Sequence, residues 1–323
     1  MKAVRFHRYG GPEVLRWEEA PDPEVRAQDV LIKVEAAGVN FSDLMRLAGQ
    51  YTTKDPLPAG LGVEAAGTVV RVGEQVSGIA PGARVLCRGA RGCQAEYVAV
   101  PAALVNPIPA SCTFVEAAAI PVVFLTAYHM LKTLGPVRAG ESVLIQAAAS
   151  GVGTAAVQLA RLFGARVFAT ASSDEKLSLV KRLGADEVIN YTRQDFLAEV
   201  MARTANRGVD RILECVGGDV LTKSVKALAP GGKLFVYGRA SGTLPPLSPE
   251  EFFPKNLQVI GVHIGMPPWT PEQHKAALDE LLALVEAGKI RPVVDRTFRM
   301  SEVAQAHDYL AQRRTMGKVL LVP

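Results

Sequence analysis

The chain has 323 residues, 49% of them hydrophobic and 21% charged, with a formal net charge of +4. That length supports two domains with a sizeable core, and that composition belongs to an ordinary folded protein rather than a disordered or fibrous one. The small basic excess holds no run of like charges long enough for a nucleic-acid tail, so no nucleic-acid partner is expected.

The opening residues, MKAVRFHRYGG, contain no apolar signal core, and Gly, Pro or charges break every apolar run short of a membrane span. Neither export nor membrane insertion is expected. Cys87, Cys93, Cys112 and Cys215 form no C-x-x-C pair and lack zinc-ribbon spacing, so they read as reduced thiols of a cytoplasmic protein.

In chain order, DVLIKVEAAGV, AAGTVVRVGEQV, ARVLC and AEYVAV are β-like runs separated by turn residues such as Pro81-Gly82. They predict a compact all-β barrel or sandwich. Thr113 and Glu116 form a capping-box pattern ahead of one helical segment, AAAIPVVFLTAYHMLKTL. From about Gly140 strands alternate with helices. SVLIQAA, RVFATA, EVINY, VDRILECVG and GGKLFVYG read as strands; GVGTAAVQLARLFG, DEKLSLVKRLG and QDFLAEVMARTA read as helices. Short connections between them predict βαβ units and a doubly wound parallel sheet, an α/β fold. TLPPLSPEEFFP is the most loop-like stretch. The tail holds a long helix, PEQHKAALDELLALVEAG, a β-like VVDRTFRM, a helix SEVAQAHDYLAQRR and a last strand, GKVLLVP. It does not extend the parallel alternation, which suggests a return to the N-terminal β domain.

The turn after the first strand of the parallel region, QAAASGVG, lies where a G-x-G-x-x-G dinucleotide fingerprint would open a helix. Its glycine positions fall on Ala148, Ser150 and Gly153. Ala and Ser are small enough for partial service, Ser150 adds a hydroxyl, and Gly153 stands where helix and strand must approach closely. Gly151 and Val152 open the helix whose free N–H groups and positive dipole end would meet phosphate. Val152, Ala156, Leu159 and Phe163 give it one apolar face. A non-binding βα turn would also carry these small residues.

The second strand ends in Thr170, Ala171, Ser172 and Ser173, with no carboxylate at the place where one would receive a ribose 2′-hydroxyl. Asp174 and Glu175 come later and suit the start of the next helix. Hydroxyls followed by Lys176 favour a 2′-phosphate, hence NADPH over NADH, although a solvated lysine is the alternative.

AAGVNFSDLMRLAGQY with LPAGLGVEAAGTVVRVG, then AAAIPVVFLTAYHML, GADEVINY, GVDRILECVGG and GKVLLVP, resemble successive landmarks of one family. Over essentially its whole length the chain resembles the zinc-free quinone oxidoreductase branch of the medium-chain dehydrogenase/reductase superfamily. GVNFSDLMRLAGQY and GKIRPVVDRTFRM…MGKVLLVP are also similar to the vesicle amine transport protein subgroup. The resemblance implies a discontinuous GroES-like β-barrel catalytic domain over residues 1–122 and 263–323. It implies a Rossmann NADPH-binding domain over 123–262, a site in the cleft between them, and a homodimer paired through NLQVIGVHI.

Zinc-dependent members carry a Cys where Asn40 stands and a His where Val63 precedes Glu64; no metal is expected. Without a Lewis acid, reduction of a conjugated quinone or enone needs less help than alcohol oxidation. The resemblance places Asn40 near the nicotinamide and makes Tyr51 a proton donor or carbonyl anchor. It sets Thr126 beside the nicotinamide, Tyr191 beside the adenosine phosphate, and Lys318 on the cofactor side. Tyr237, Gly238 and Arg239 close a later strand at the cofactor's expected edge. The expected activity is NADPH-dependent reduction of a quinone or α,β-unsaturated carbonyl. The alternatives are an enoyl-thioester or alkenal reductase, and a non-catalytic NADPH-binding protein.

Overall fold

The computed structural model of the chain describes residues 1–266 and 268–323, and falls into two units. Met1–Leu125 with Gly265–Pro323 forms one; Thr126–Ile264 forms the other. The divisions read from sequence, after residues 122 and 262, lie a few residues short of these. No helix among the described residues is long and apolar enough to cross a membrane.

In the first unit β1 (Lys2–Phe6) pairs antiparallel with β2 (Arg16–Glu19). In β3 (Asp29–Val39) Val30, Ile32 and Val34 are buried while Lys33 is exposed, the period-two pattern of a strand with one covered face. The pattern ends at Ala36, and β3 from there to Val39 is buried throughout. Helix α1 (Phe41–Leu47) follows at once, then β4 (Ala59–Gly60), which pairs with β1. Strand β5 (Glu64–Val72) runs back along β3, and β6 (Arg84–Arg88) along β5. Strand β7 (Tyr97–Pro101) returns to β3, and β8 (Val105–Pro107) pairs with β6.

The expected capping box forms. The Glu116 N–H donates to Thr113 Oγ1 at 3.2 Å and the Thr113 N–H to Glu116 Oε2 at 3.1 Å. The single helix expected after it does not form. Pro121 has no N–H and biases Ile120 away from helical geometry, so the segment divides into α2 (Phe114–Ala118) and α3 (Pro121–Tyr128). The coil then widens into a π turn over His129–Thr133.

The second unit begins with β9 (Ser142–Ile145), α4 (Gly151–Leu162), β10 (Arg166–Ala171), α5 (Asp174–Arg182), β11 (Glu187–Asn190) and α6 (Phe196–Arg203). It continues with β12 (Val209–Glu214), α7 (Gly218–Lys226), β13 (Leu228–Val236), α8 (Pro249–Phe252) and β14 (Gln258–Gly261). All pairs are parallel, in the order β11-β10-β9-β12-β13-β14. This is a doubly wound sheet whose order reverses between β9 and β12, the place where such sheets bind ligands beyond the carboxyl ends of their strands. Val143, Leu144 and Ile145 are wholly buried, as a central strand covered on both faces requires. Helix α4 is buried over a wider arc than its expected stripe, since Ala155, Val157 and Ala160 join Ala156 and Leu159. Sequence periodicity missed α7, whose apolar face is only Val220, Leu221 and Val225. The stretch read as loop contains α8, started by Pro249 behind the Ser248 cap.

The tail supplies α9 (Pro271–Glu286), β15 (Val294–Arg299), α10 (Val303–Ala311) and β16 (Lys318–Val322). Strand β16 pairs antiparallel with β3, so the chain closes back onto the first unit, as its broken alternation suggested. The core there gathers Phe6, Ile32, Val69, Val85 and Leu321, each large side chain contributing about 1.5–3 kcal/mol by burial.

Candidate functional site

The turn after β9 is held from both neighbouring strands. The Gln146 N–H donates to Leu213 O at 3.0 Å and the Ala148 N–H to Thr170 O at 2.9 Å. Ala147 takes φ +49, a left-handed conformation that favours glycine and costs alanine about 1 kcal/mol. Ser150 is the N-cap of α4, its Oγ accepting the Gly153 N–H at 3.1 Å. The N–H groups of Gly151 and Val152 find no acceptor among the described residues, so they and the helix dipole remain for an anion.

Gly153 makes this geometry possible. A Cβ there would lie 2.5 Å from both Ala147 O and Ala148 O, backbone atoms that cannot step aside. Gly153→Ala is expected to cost about 1–3 kcal/mol, visible as a lower Tm in thermal denaturation. An unchanged Tm would mean that α4 and the turn have room to separate.

Of the hydroxyls grouped at the end of β10, two are committed elsewhere. Thr170 is fully buried and donates to Gln146 Oε1 at 2.6 Å, and Ser173 caps α5 by accepting the Lys176 N–H at 3.3 Å. Ser172 remains, half-buried, with Lys176 on the first turn of α5. Asp174 accepts Asn190 Nδ2 at 2.9 Å and pairs with Arg193 at 3.1 Å, contacts that hold its carboxyl below the usual range. The first acid after β10 is thus tied to the chain beyond β11. Tyr191, 47% exposed, lies in that same stretch. Arg193 was not singled out from sequence, because only the pairing of β11 with β10 brings it to α5.

At the ends of β12 and β13, Glu214 is fully buried, its carboxylate accepting the Val216 N–H at 2.6 Å and the Gly217 N–H at 3.1 Å. Burial pushes its carboxyl up against those bonds. Gly238 and Arg239 are half-buried. Tyr237 is half-buried. Its hydroxyl is buried against a Cys215 thiol that burial raises to about 12. What Tyr237 offers at this edge is therefore its main chain.

The first unit holds a buried charge network. Asn40 caps α1, its own N–H donating to Asp43 Oδ2 at 2.9 Å. Asn40 Nδ2 donates to Glu64 Oε1 at 2.7 Å, and the Val122 N–H donates to Glu64 Oε2 at 2.7 Å. Lys318 Nζ reaches Glu64 Oε1 at 2.6 Å, Asn40 Oδ1 at 2.6 Å and Val39 O at 2.9 Å. All three of its N–H donors are used on these partners. Gly38 leaves the room, since a Cβ there would run into the Glu64 carboxylate. Glu64 was seen in sequence only as the acid after Val63; the cue was an acid opening an otherwise apolar strand, EAAGTVV, which burial obliges to find a cation.

Tyr51 is half-buried with the Arg46 guanidinium 4.4 Å from its ring centre, and Arg46 in turn pairs with Asp55 at 2.9 Å. Burial raises the Tyr51 hydroxyl, with Arg46 opposing in part. Thr126, in the second unit, is buried on α3. Among the described residues no three His, Cys, Asp or Glu side chains are grouped to hold a metal ion.

Two family models match the chain: a GroES-like alcohol dehydrogenase domain over residues 26–110 and a zinc-binding dehydrogenase domain over residues 151–283. The chain is 35% identical to a quinone oxidoreductase of Pseudomonas aeruginosa, over 100% of this chain and 99% of that protein. It is 35% identical to the synaptic vesicle membrane protein VAT-1 homolog of Rattus norvegicus, over 98% of this chain and 82% of that protein. Among solved structures, an Escherichia coli quinone oxidoreductase complexed with NADPH superposes with a TM-score of 0.95 at 30% identity, covering 100% of both chains.

Proposed function

The chain belongs to the quinone oxidoreductases of the medium-chain dehydrogenase/reductase superfamily, and from that premise we propose a zinc-independent, NADPH-dependent reductase of quinones or α,β-unsaturated carbonyls. The observation that carries the cofactor choice is the end of β10. Ser172 and Lys176 stand there, while Asp174 is already bound by Asn190 and Arg193.

The residues fit a dinucleotide with a 2′-phosphate. Ser150 with the N–H groups of Gly151 and Val152 would hold the pyrophosphate; Ser172, Lys176 and Tyr191 would hold the adenosine phosphate end. The main chain of Tyr237 and Gly238, with Arg239, forms a further edge, and Thr126 is assigned to the nicotinamide end. NADPH, when bound, supplies the hydride. The chain's own groups position and polarise. Asn40 Nδ2 gives one hydrogen to Glu64 and keeps the other for an acceptor carbonyl. Lys318 and Glu64 fix the orientation of that amide. Tyr51, its proton retained by burial, is assigned the protonation of the reduced acceptor.

Lys318 already neutralises Glu64, so an added dication would meet a spent carboxylate and a fixed ammonium. Metal analysis of the purified protein should find no stoichiometric zinc; zinc retained against a chelator would overturn this part of the reading. The outer edge of β14 carries Val259 at 40% exposure, with Phe253 at 77% nearby in sequence, which supports a homodimer through this edge. Val259→Lys should convert a dimer to monomers in light scattering; a wild-type monomer would refute the assignment.

A cytoplasmic location accords with the buried reduced thiols Cys87, Cys93 and Cys112. The test of the function is steady-state NADPH oxidation against a panel of quinones, enones and enoyl thioesters, with product analysis. Turnover of quinones or simple enones supports the reading, and turnover confined to enoyl thioesters favours the enoyl reductase. Nucleotide binding with no turnover of any acceptor favours a non-catalytic NADPH-binding protein.

A further inference from the structure

Arg88, the last residue of β6, is a buried cation without a salt-bridge partner among the described residues. It is 9% exposed, its Nε has no partner, and its one hydrogen bond among the described residues runs from Nη2 to Pro271 O at 3.4 Å. Burial lowers its guanidinium to about 10. An uncompensated interior charge is costly to fold around. A single long bond to a carbonyl that lies at the start of α9, the positive end of that helix, does not offset it.

The position is also fixed. Arg88 stands directly across the β5–β6 ladder from Glu64, so both side chains leave the same face of the sheet. The Gly89 N–H donates to Val63 O at 2.7 Å and pins the backbone just beyond. Glu64 does not pair with Arg88, because its carboxylate is occupied by Lys318, Asn40 and the Val122 N–H. An unspent positive charge thereby springs from the strand position opposite Glu64, the residue whose carboxylate holds the Asn40 amide.

We propose that Arg88 receives an anionic oxygen group, a carboxylate or sulfonate, carried by the electron acceptor. This rests on the reductase reading above, and makes the preferred acceptor a quinone or enone with an acidic substituent. A charge-assisted bond to a desolvated guanidinium discriminates by about tenfold or more between acceptors with and without that group.

The experiment compares wild type, Arg88→Met and Arg88→Lys with 1,4-naphthoquinone and 1,4-naphthoquinone-2-sulfonate. The ratio of kcat/KM for the sulfonate over the neutral quinone should fall at least tenfold in Arg88→Met and less in Arg88→Lys. A ratio that stays within twofold of wild type in Arg88→Met overturns the proposal. Thermal melts with naphthalene-2-sulfonate, which accepts no hydride, supply a readout independent of turnover. The anion should raise the Tm of wild type and not that of Arg88→Met; no shift in wild type, or equal shifts in both, overturns it. If wild type reduces neither quinone while the anion shift is present and depends on Arg88, the reductase reading fails and the anion site stands. Without ligand, Arg88→Met should melt no lower than wild type, whereas a lower Tm together with an unchanged ratio would make Arg88 structural.

Discussion

Lys318→Met is expected to destabilise the chain by about 3–5 kcal/mol, because it leaves the Glu64 carboxylate buried with its principal counter-charge removed. At roughly 2–4 °C of Tm per kcal/mol for a unit of this size, the loss should be a drop of about 10 °C. Glu64→Gln should also destabilise, since it strands the ammonium between Val39 O and Asn40 Oδ1. The double variant Lys318→Met/Glu64→Gln should lose markedly less than the sum of the singles, because neither charge is then left alone. Melting curves of the four proteins close the cycle. Additive losses, or a Lys318→Met protein as stable as wild type, would mean that the pair does not hold Asn40 in place. Activity should follow: with Lys318 gone, the Asn40 amide loses the bond that fixes its Oδ1, and kcat should fall more than KM rises.

Lys176→Ala is the second large effect. A lysine facing a 2′-phosphate makes a charge-assisted contact that NADH cannot make, so the substitution should weaken NADPH binding about tenfold to hundredfold. NADH binding should move by less than twofold. Fluorescence titration of both nucleotides against both proteins measures this directly. Equal losses for the two nucleotides would remove the 2′-phosphate from Lys176 and leave the lysine a structural part of α5.

How far these residues were legible in sequence depended on whether their role is local. Gly153 could be read from spacing because the close contact it relieves is made with Ala147 and Ala148 a few residues away. The strands and helices from β9 to β12 could be read because alternating periods of two and 3.6 are local too. Tertiary partners could not. Thr170 looked like part of a phosphate-binding hydroxyl cluster until the β9–β10 pairing set it against Gln146. The partners of Lys318 appear only once β16 is paired with β3, which carries its ammonium to Asn40 and Glu64. Tyr237 matched a strand-end position, but which way its phenol turns is decided by packing against Cys215. Arg88 gave no signal at all, because an arginine in a β-like run is unremarkable until its burial and its single long hydrogen bond among the described residues are seen.

The most direct test is the ratio of kcat/KM for NADPH over NADH with one quinone acceptor and purified, metal-free protein. Turnover with NADPH and a preference over NADH of at least tenfold are expected. Equal rates with both nucleotides, or hydride transfer only after zinc is added, would contradict the proposed function.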